Sequence, residues 1–114
     1  MELQIVPVSA TVTRAVLIGR WDVAGAALID LKLSALAGSG RSIIIDMAQV
    51  TFLSSMGIRS IIMSAKAVKL RGCMLVLLSP DKNVEFVLTS TGIDTLMPIR
   101  HDIDAALAEI AGAA

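Results

Sequence analysis

Ser54 and Ser55 are adjacent hydroxyls, followed by Met56, Gly57 and, one helical turn beyond Ser55, Arg59. They stand where the apolar stretch ending in Thr51-Phe52-Leu53 gives way to residues of helical periodicity. The first N–H groups of a helix have no intrahelical partner, and they form the positive end of its dipole. Such an end favours a serine hydroxyl as a cap and, more strongly, an anion. Two chemistries fit. In the first, one serine is the N-cap, the other is solvated, and Gly57 packs on a sheet. In the second, one serine accepts a phosphoryl group. A phosphoserine carries roughly −1.5 to −2 charges and can sit at the positive helix end without unfolding it. Arg59 is then placed to approach the phosphate, Gly57 lets another backbone come close, and Met56 offers a soft apolar contact.

Other reactive constellations are scarce. His101 is the single histidine and has no HxxxH or CxxC companion, so no metal site is expected and the ring reads as solvated surface. No GxSxG elbow occurs. Gly38-Ser39-Gly40-Arg41-Ser42 lacks the spacing of a phosphate-binding loop and falls between a helix and a strand, the wrong order for one. It reads as a turn. Asp46 reads as the end of the third strand, where α/β folds place functional side chains. There it either shapes the loop bearing the serines or caps loop amides. The lone Cys73 cannot form an internal disulfide and reads as a small core hydrophobe. No cofactor is implied, and the chain reads as a binding protein, not an enzyme.

Composition narrows the partners. The chain has 114 residues, one domain's length, with 10 basic and 10 acidic side chains and zero formal charge. That balance argues against attraction to nucleic acid or anionic lipid. Aromatics are 3 %, too few for a base-stacking surface. Apolar residues make up 55 %, yet no run approaches the ~18 residues that span a bilayer. With no secretory leader visible, a cytoplasmic location is expected. The apolar excess reads as a sheet buried on both faces, as a partner surface, or as both.

The elements that must position the serines follow from periodicity. Residues 3–8 and 12–19 read as strands joined in a hairpin by Ser9-Ala10-Thr11, with Pro7 confined to an edge. Asp22 is a candidate N-cap for a helix over about 24–37, whose apolar positions are Ala24, Ala27, Leu28, Leu31, Leu33 and Leu36. Residues 42–47 (SIIIDM), with the β-branched run Ile43-Ile44-Ile45, and residues 73–78 (CMLVLL) lack polar alternation, the pattern of strands buried on both faces. Between them Ile58, Ile61, Ile62, Ala65 and Val68 mark a helix closed by Arg71-Gly72. A helix over about 81–90, a short strand over 96–99 and a last helix over about 103–111 capped by Asp102 complete the chain. The order β-β-α-β-α-β-α-β-α predicts a single α/β domain over residues 1–114, with a mixed, mainly parallel sheet and an N-terminal hairpin. Residues 111–114 are expected to fray, and edge exposure leaves a dimer open.

At the serines the chain resembles the STAS-domain family, in particular the bacterial anti-sigma factor antagonists. The family pattern runs Asp-Leu-x-x-Val-x-Phe-(Leu/Met)-Asp-Ser-Ser-Gly-(Leu/Ile), and here Asp46 through Ile58 reads DMAQVTFLSSMGI. Gly19-Arg20-Trp21-Asp22, Arg71-Gly72 and Thr91-Gly92-Ile93-Asp94 are similar to further landmarks, in the same order. The resemblance implies a STAS fold and a regulatory cycle. The unphosphorylated antagonist binds an anti-sigma factor that is also a GHKL-type serine kinase, which frees a sigma factor. Phosphorylation at the start of the central helix ends the binding, and a PP2C-type phosphatase resets it. By position the acceptor is Ser55, with Ser54 second, and Asp22, Ser54, Met56, Gly57 and Arg59 fall on the partner-binding surface. Two departures from the pattern matter: Ser54 stands for its Asp and Met56 for its second Ser. The other implied role is a non-phosphorylated STAS subunit of a membrane transport complex for lipid or anions.

Overall fold

The computed structural model describes residues 1–112. Strand β1 (Glu2–Pro7) turns back antiparallel onto β2 (Val12–Trp21). Helix α1 (Val23–Ala37), strand β3 (Ser42–Leu53), helix α2 (Ser55–Leu70), strand β4 (Leu75–Leu78), helix α3 (Lys82–Ser90), strand β5 (Ile99–Arg100) and helix α4 (Ile103–Gly112) follow. The sheet order is β1-β2-β3-β4-β5, and β2 through β5 run parallel. This is the predicted order. Because the order advances in one direction, right-handed crossovers put α1, α2 and α3 on the same face. That face holds the main core: Leu17, Trp21, Ile43, Ile45 and Met47 of the sheet meet Ile29, Leu33, Ile61, Val68, Val84 and Leu88 of the helices. The alternate side chains of β3 and β4, Ile44, Val76 and Leu78, point the other way and pack with Ala106 of α4. Both middle strands are thus buried on two faces, which explains their unbroken apolar runs.

Pro7 does lie on an edge strand. Several local expectations are corrected. The strand expected over 96–99 is shorter and shifted: a 3-10 turn at Ile93–Thr95 precedes it, and β5 spans only Ile99–Arg100. Strand β3 continues six residues past Met47. It accommodates two register shifts against β2, between Val16 and Ile18 and between Gly19 and Arg20, each an extra residue on the β3 side. Asp46 therefore lies within the strand, far from its end. Its Oδ2 accepts hydrogen bonds from Arg14 Nη2 at 2.5 Å and Nε at 3.0 Å, and its Oδ1 from the Ala48 amide at 3.0 Å. It shapes the first shift and not the serine loop. Cys73 precedes β4 and is only half-buried, with Sγ 3.2 Å from the Gly40 carbonyl. The frayed end expected over 111–114 is helical through Gly112, and residues 113–114 lie outside the described residues.

Helix α1 departs most from expectation. It buries Gly25, Ala26, Ile29, Leu33 and Ala37, while Leu28 and Leu31, expected on its apolar face, are 69 % and 85 % exposed. Ala24, Ala27, Leu28, Leu31 and Ala35 form a second apolar stripe on the opposite, solvent side. At 100° per residue the two stripes are equally good helical faces.

Candidate functional site

The parallel strands β2 and β3 end side by side, at Trp21 and Leu53, and each is followed at once by a helix. The two turns are tied together. The Ser54 amide donates to the Trp21 carbonyl at 2.9 Å, and the Ser54 hydroxyl donates to the same oxygen at 2.8 Å. With extended backbone at φ −92° and ψ 173°, Ser54 is also the N-cap of α2, and its Oγ accepts from the Gly57 amide at 3.3 Å. Both hydrogen-bonding capacities of this hydroxyl are engaged within the fold.

Ser55 is different. It is the first residue of α2 and is exposed, and among the described residues its hydroxyl makes no hydrogen bond. The cap and the free hydroxyl, undecided from the sequence, are thereby assigned to Ser54 and Ser55 respectively. Met56 turns inward and packs against the main core. Gly57 is buried, but its close neighbours are side chains, not the backbone expected. A Cβ there would meet Leu53 Cδ1 at 2.6 Å and Trp21 Cγ at 2.9 Å. The glycine is the space into which the Trp21 indole fits. Trp21 is fully buried, and its Nε1 has no hydrogen-bond partner among the described residues. Arg59 is exposed and lines a groove between α1 and α2, together with Met56, Ser60, Met63 and Asp30. It shares a helix face with Ser55 at i,i+4.

Asp22 sits across the turn as the N-cap of α1, its Oδ1 accepting from the Gly25 amide at 2.8 Å. That amide bond, assisted by the Arg20 guanidinium 3.5 Å from Oδ2, holds the Asp22 carboxyl below the ordinary carboxylate value. Arg20 also lies over the ring of Phe52, 4.4 Å from its centroid. The parallel register pairs these two residues, and both are exposed on the sheet side opposite Trp21 and Leu53. Arg20, Trp21 and Phe52 thus belong to the site although periodicity did not single them out. The signal that could have found them is register: two strands ending side by side bring their last residues together.

The surface so built presents one free hydroxyl at a helix start, an arginine–aspartate pair and an exposed phenylalanine. It can accept a modification or a partner. The fold and this capped helix start define a small α/β domain with a mixed sheet and its site at the strand ends. The STAS domain family model matches residues 7–106, and the chain belongs to that family. Comparison with curated proteins gives no match. Among solved structures, an anti-sigma factor antagonist from Mycobacterium paratuberculosis superposes with a TM-score of 0.86 at 17 % identity, covering 96 % of this chain and 93 % of that one. The unphosphorylated form of the anti-sigma factor antagonist SpoIIAA gives 0.81 at 19 % identity over 97 % of both chains. The phosphorylated form of SpoIIAA, a Bacillus cell fate determinant, gives 0.73 at 18 % identity, covering 96 % of this chain and 99 % of that one.

Proposed function

We propose that this chain is an anti-sigma factor antagonist switched by phosphorylation of Ser55. The observation that carries the reading is the division of labour between the serines. Ser54 is spent on the cap and on the Trp21 carbonyl, and Ser55 stands free at the positive end of α2. The likeness to SpoIIAA in both its phosphorylated and unphosphorylated forms supports it. In its unphosphorylated form the protein binds an anti-sigma factor that carries a GHKL-type serine kinase domain, and a sigma factor is released. The kinase transfers the γ-phosphoryl group of ATP to Ser55 Oγ, which gives up its proton as ADP leaves. Hydrolysis by a PP2C-type phosphatase restores the hydroxyl. Asp22, Ser54, Met56, Gly57 and Arg59 frame the docking surface, with Ser54, Met56 and Gly57 shaping it from within.

The electrostatics suffice. Weakening a complex a hundredfold takes about 2.7 kcal/mol, and an unpaired charge buried in an interface costs several kcal/mol. A dianion facing a surface fitted to a neutral hydroxyl needs no large rearrangement to dissociate it. Ser54, standing for a carboxylate, spares the phosphate a like charge at the cap.

The test is phosphosite mapping after incubation with the cognate kinase and ATP, paired with calorimetry. Phosphate is expected on Ser55, Ser55→Ala is expected to bind the partner as the wild type does, and phosphorylation is expected to weaken binding at least a hundredfold. Phosphate on Ser54 alone, or on neither serine with an active kinase, overturns the assignment.

A further inference from the structure

We infer that Arg20, a residue of the neighbouring strand, is the cation that receives the phosphate on Ser55, and that it leaves Asp22 and Phe52 to do so. The inference rests on the reading of Ser55 as the phosphoacceptor and adds the route by which the modification reaches the β2–α1 turn.

Three observations support it. First, the turns bearing the two residues are joined: Trp21 and Ser54 share a carbonyl–amide and a carbonyl–hydroxyl hydrogen bond, and Arg20 and Ser55 are their immediate chain neighbours. Second, the Arg20 Nε lies 3.5 Å from Asp22 Oδ2, so the guanidinium is turned toward the residue that caps α1. Third, its present partners hold it loosely. The ion pair is long for a charge-assisted hydrogen bond, the aromatic contact is on an exposed ring, and the side chain is 63 % exposed. A phosphate dianion offers more charge and three acceptor oxygens to a guanidinium that can bind two of them at once.

Arg59 is the competing cation on α2 itself. It lines the α1–α2 groove together with Asp30 and Met63, so its surroundings already include a carboxylate, that of Asp30. Moving Arg20 would uncover the Phe52 ring and leave Asp22 with its amide bond alone. Modification at one residue would then alter a surface built from two turns.

The test installs phosphoserine at position 55 during translation, so that no kinase is needed; failure of the kinase reaction and failure of this inference are then separate results. The second phosphate ionisation is followed by 31P NMR across pH in the wild-type background and in Arg20→Gln, Arg20→Lys and Arg59→Gln. Arg20→Gln is expected to raise that pKa by about half a unit, modest because the pair is exposed, Arg20→Lys by less, and Arg59→Gln to leave it unchanged. The Arg20 Nε–H resonance of the otherwise wild-type protein is expected to move downfield on phosphorylation. An unchanged phosphate titration in Arg20→Gln, an unmoved Arg20 resonance, or a shift produced by Arg59→Gln instead, overturns the inference.

Discussion

The carbonyl oxygen of Trp21 receives both donors of Ser54, the amide at 2.9 Å and the hydroxyl at 2.8 Å. One acceptor thus fixes the end of β2 against the start of α2. Two serines adjacent in sequence are thereby given unequal roles, and the inequality is measurable.

Ser54→Ala removes the α2 cap and one of the two bonds to Trp21. A lost serine cap costs about 1 kcal/mol, and the unpaired carbonyl lone pair adds to it, so a loss of about 1–2 kcal/mol is expected in urea denaturation. Ser55→Ala removes an exposed hydroxyl and is expected to stay within about 0.5 kcal/mol of the wild type. Equal losses in the two variants would contradict the structural assignment.

Two glycines are held by close neighbours, with different severity. A Cβ at Gly57 collides with the Leu53 methyl, which can shift, and with Trp21 Cγ at 2.9 Å, a buried ring atom that cannot easily do so. Helix propensity returns part of the cost, so Gly57→Ala is expected to lose about 1–2 kcal/mol. At Gly25 the obstruction is the Arg20 backbone carbonyl. Relief there requires the β2–α1 turn itself to move, so Gly25→Ala is expected to lose about 3 kcal/mol or more. Thermal unfolding of the two variants should rank Gly25→Ala as the more damaged.

The Asp22 cap makes stability respond to acid in a definite direction. Its carboxyl is held below the ordinary value by the Gly25 amide first and Arg20 second. The ionised form is therefore favoured by folding. This contribution is complete above the unfolded carboxylate pKa of about 3.9 and is lost as pH falls through the lower folded-state value. Asp22→Asn keeps a capping oxygen but cannot titrate. Between pH 5 and the acid limit its unfolding midpoint should fall less steeply than that of the wild type; parallel curves would remove Asp22 from the acid response.

Asp46 and Arg14 form an ion pair between β3 and β2, well before the strand ends at Leu53 and Trp21. The carboxylate is buried, while the arginine side chain is 34 % exposed. Asp46→Ala strands the guanidinium and frees the Ala48 amide, and a loss of about 2–3 kcal/mol is expected, below the figure for a fully buried pair because water reaches Arg14. Replacing both partners with apolar residues, Arg14→Met with Asp46→Leu, should recover most of that loss in chemical denaturation.

Much of this architecture was legible in residue patterns. The unbroken runs at Ile43-Ile44-Ile45 and Leu75 to Leu78 revealed strands buried on both faces, Asp22 was readable as a cap, and one of Ser54 and Ser55 was readable as another without a choice between them. The face α1 buries was not legible, because Ala26, Ile29, Leu33 and Ala37 on one side are matched by Ala24, Leu28, Leu31 and Ala35 on the other. Periodicity alone cannot choose between two apolar stripes; the sheet chooses. The length of β3 was hidden for a related reason. Asp46 and Gln49 interrupt the apolar run, and only pairing with β2 through two extra residues carries the strand on to Leu53. The Arg20–Phe52 contact depends on that register and could not be read from either strand alone.

The chain has one tryptophan and no tyrosine, and that tryptophan is the ring lodged under Gly57. Indole emission shifts to the red as water or charge approaches the ring. Trp21 is fully buried with an unpartnered N–H, so it should emit in the blue, with no second fluorophore of comparable strength to obscure it. The protein thus contains its own optical probe, placed beneath the first turn of the helix that bears Ser55.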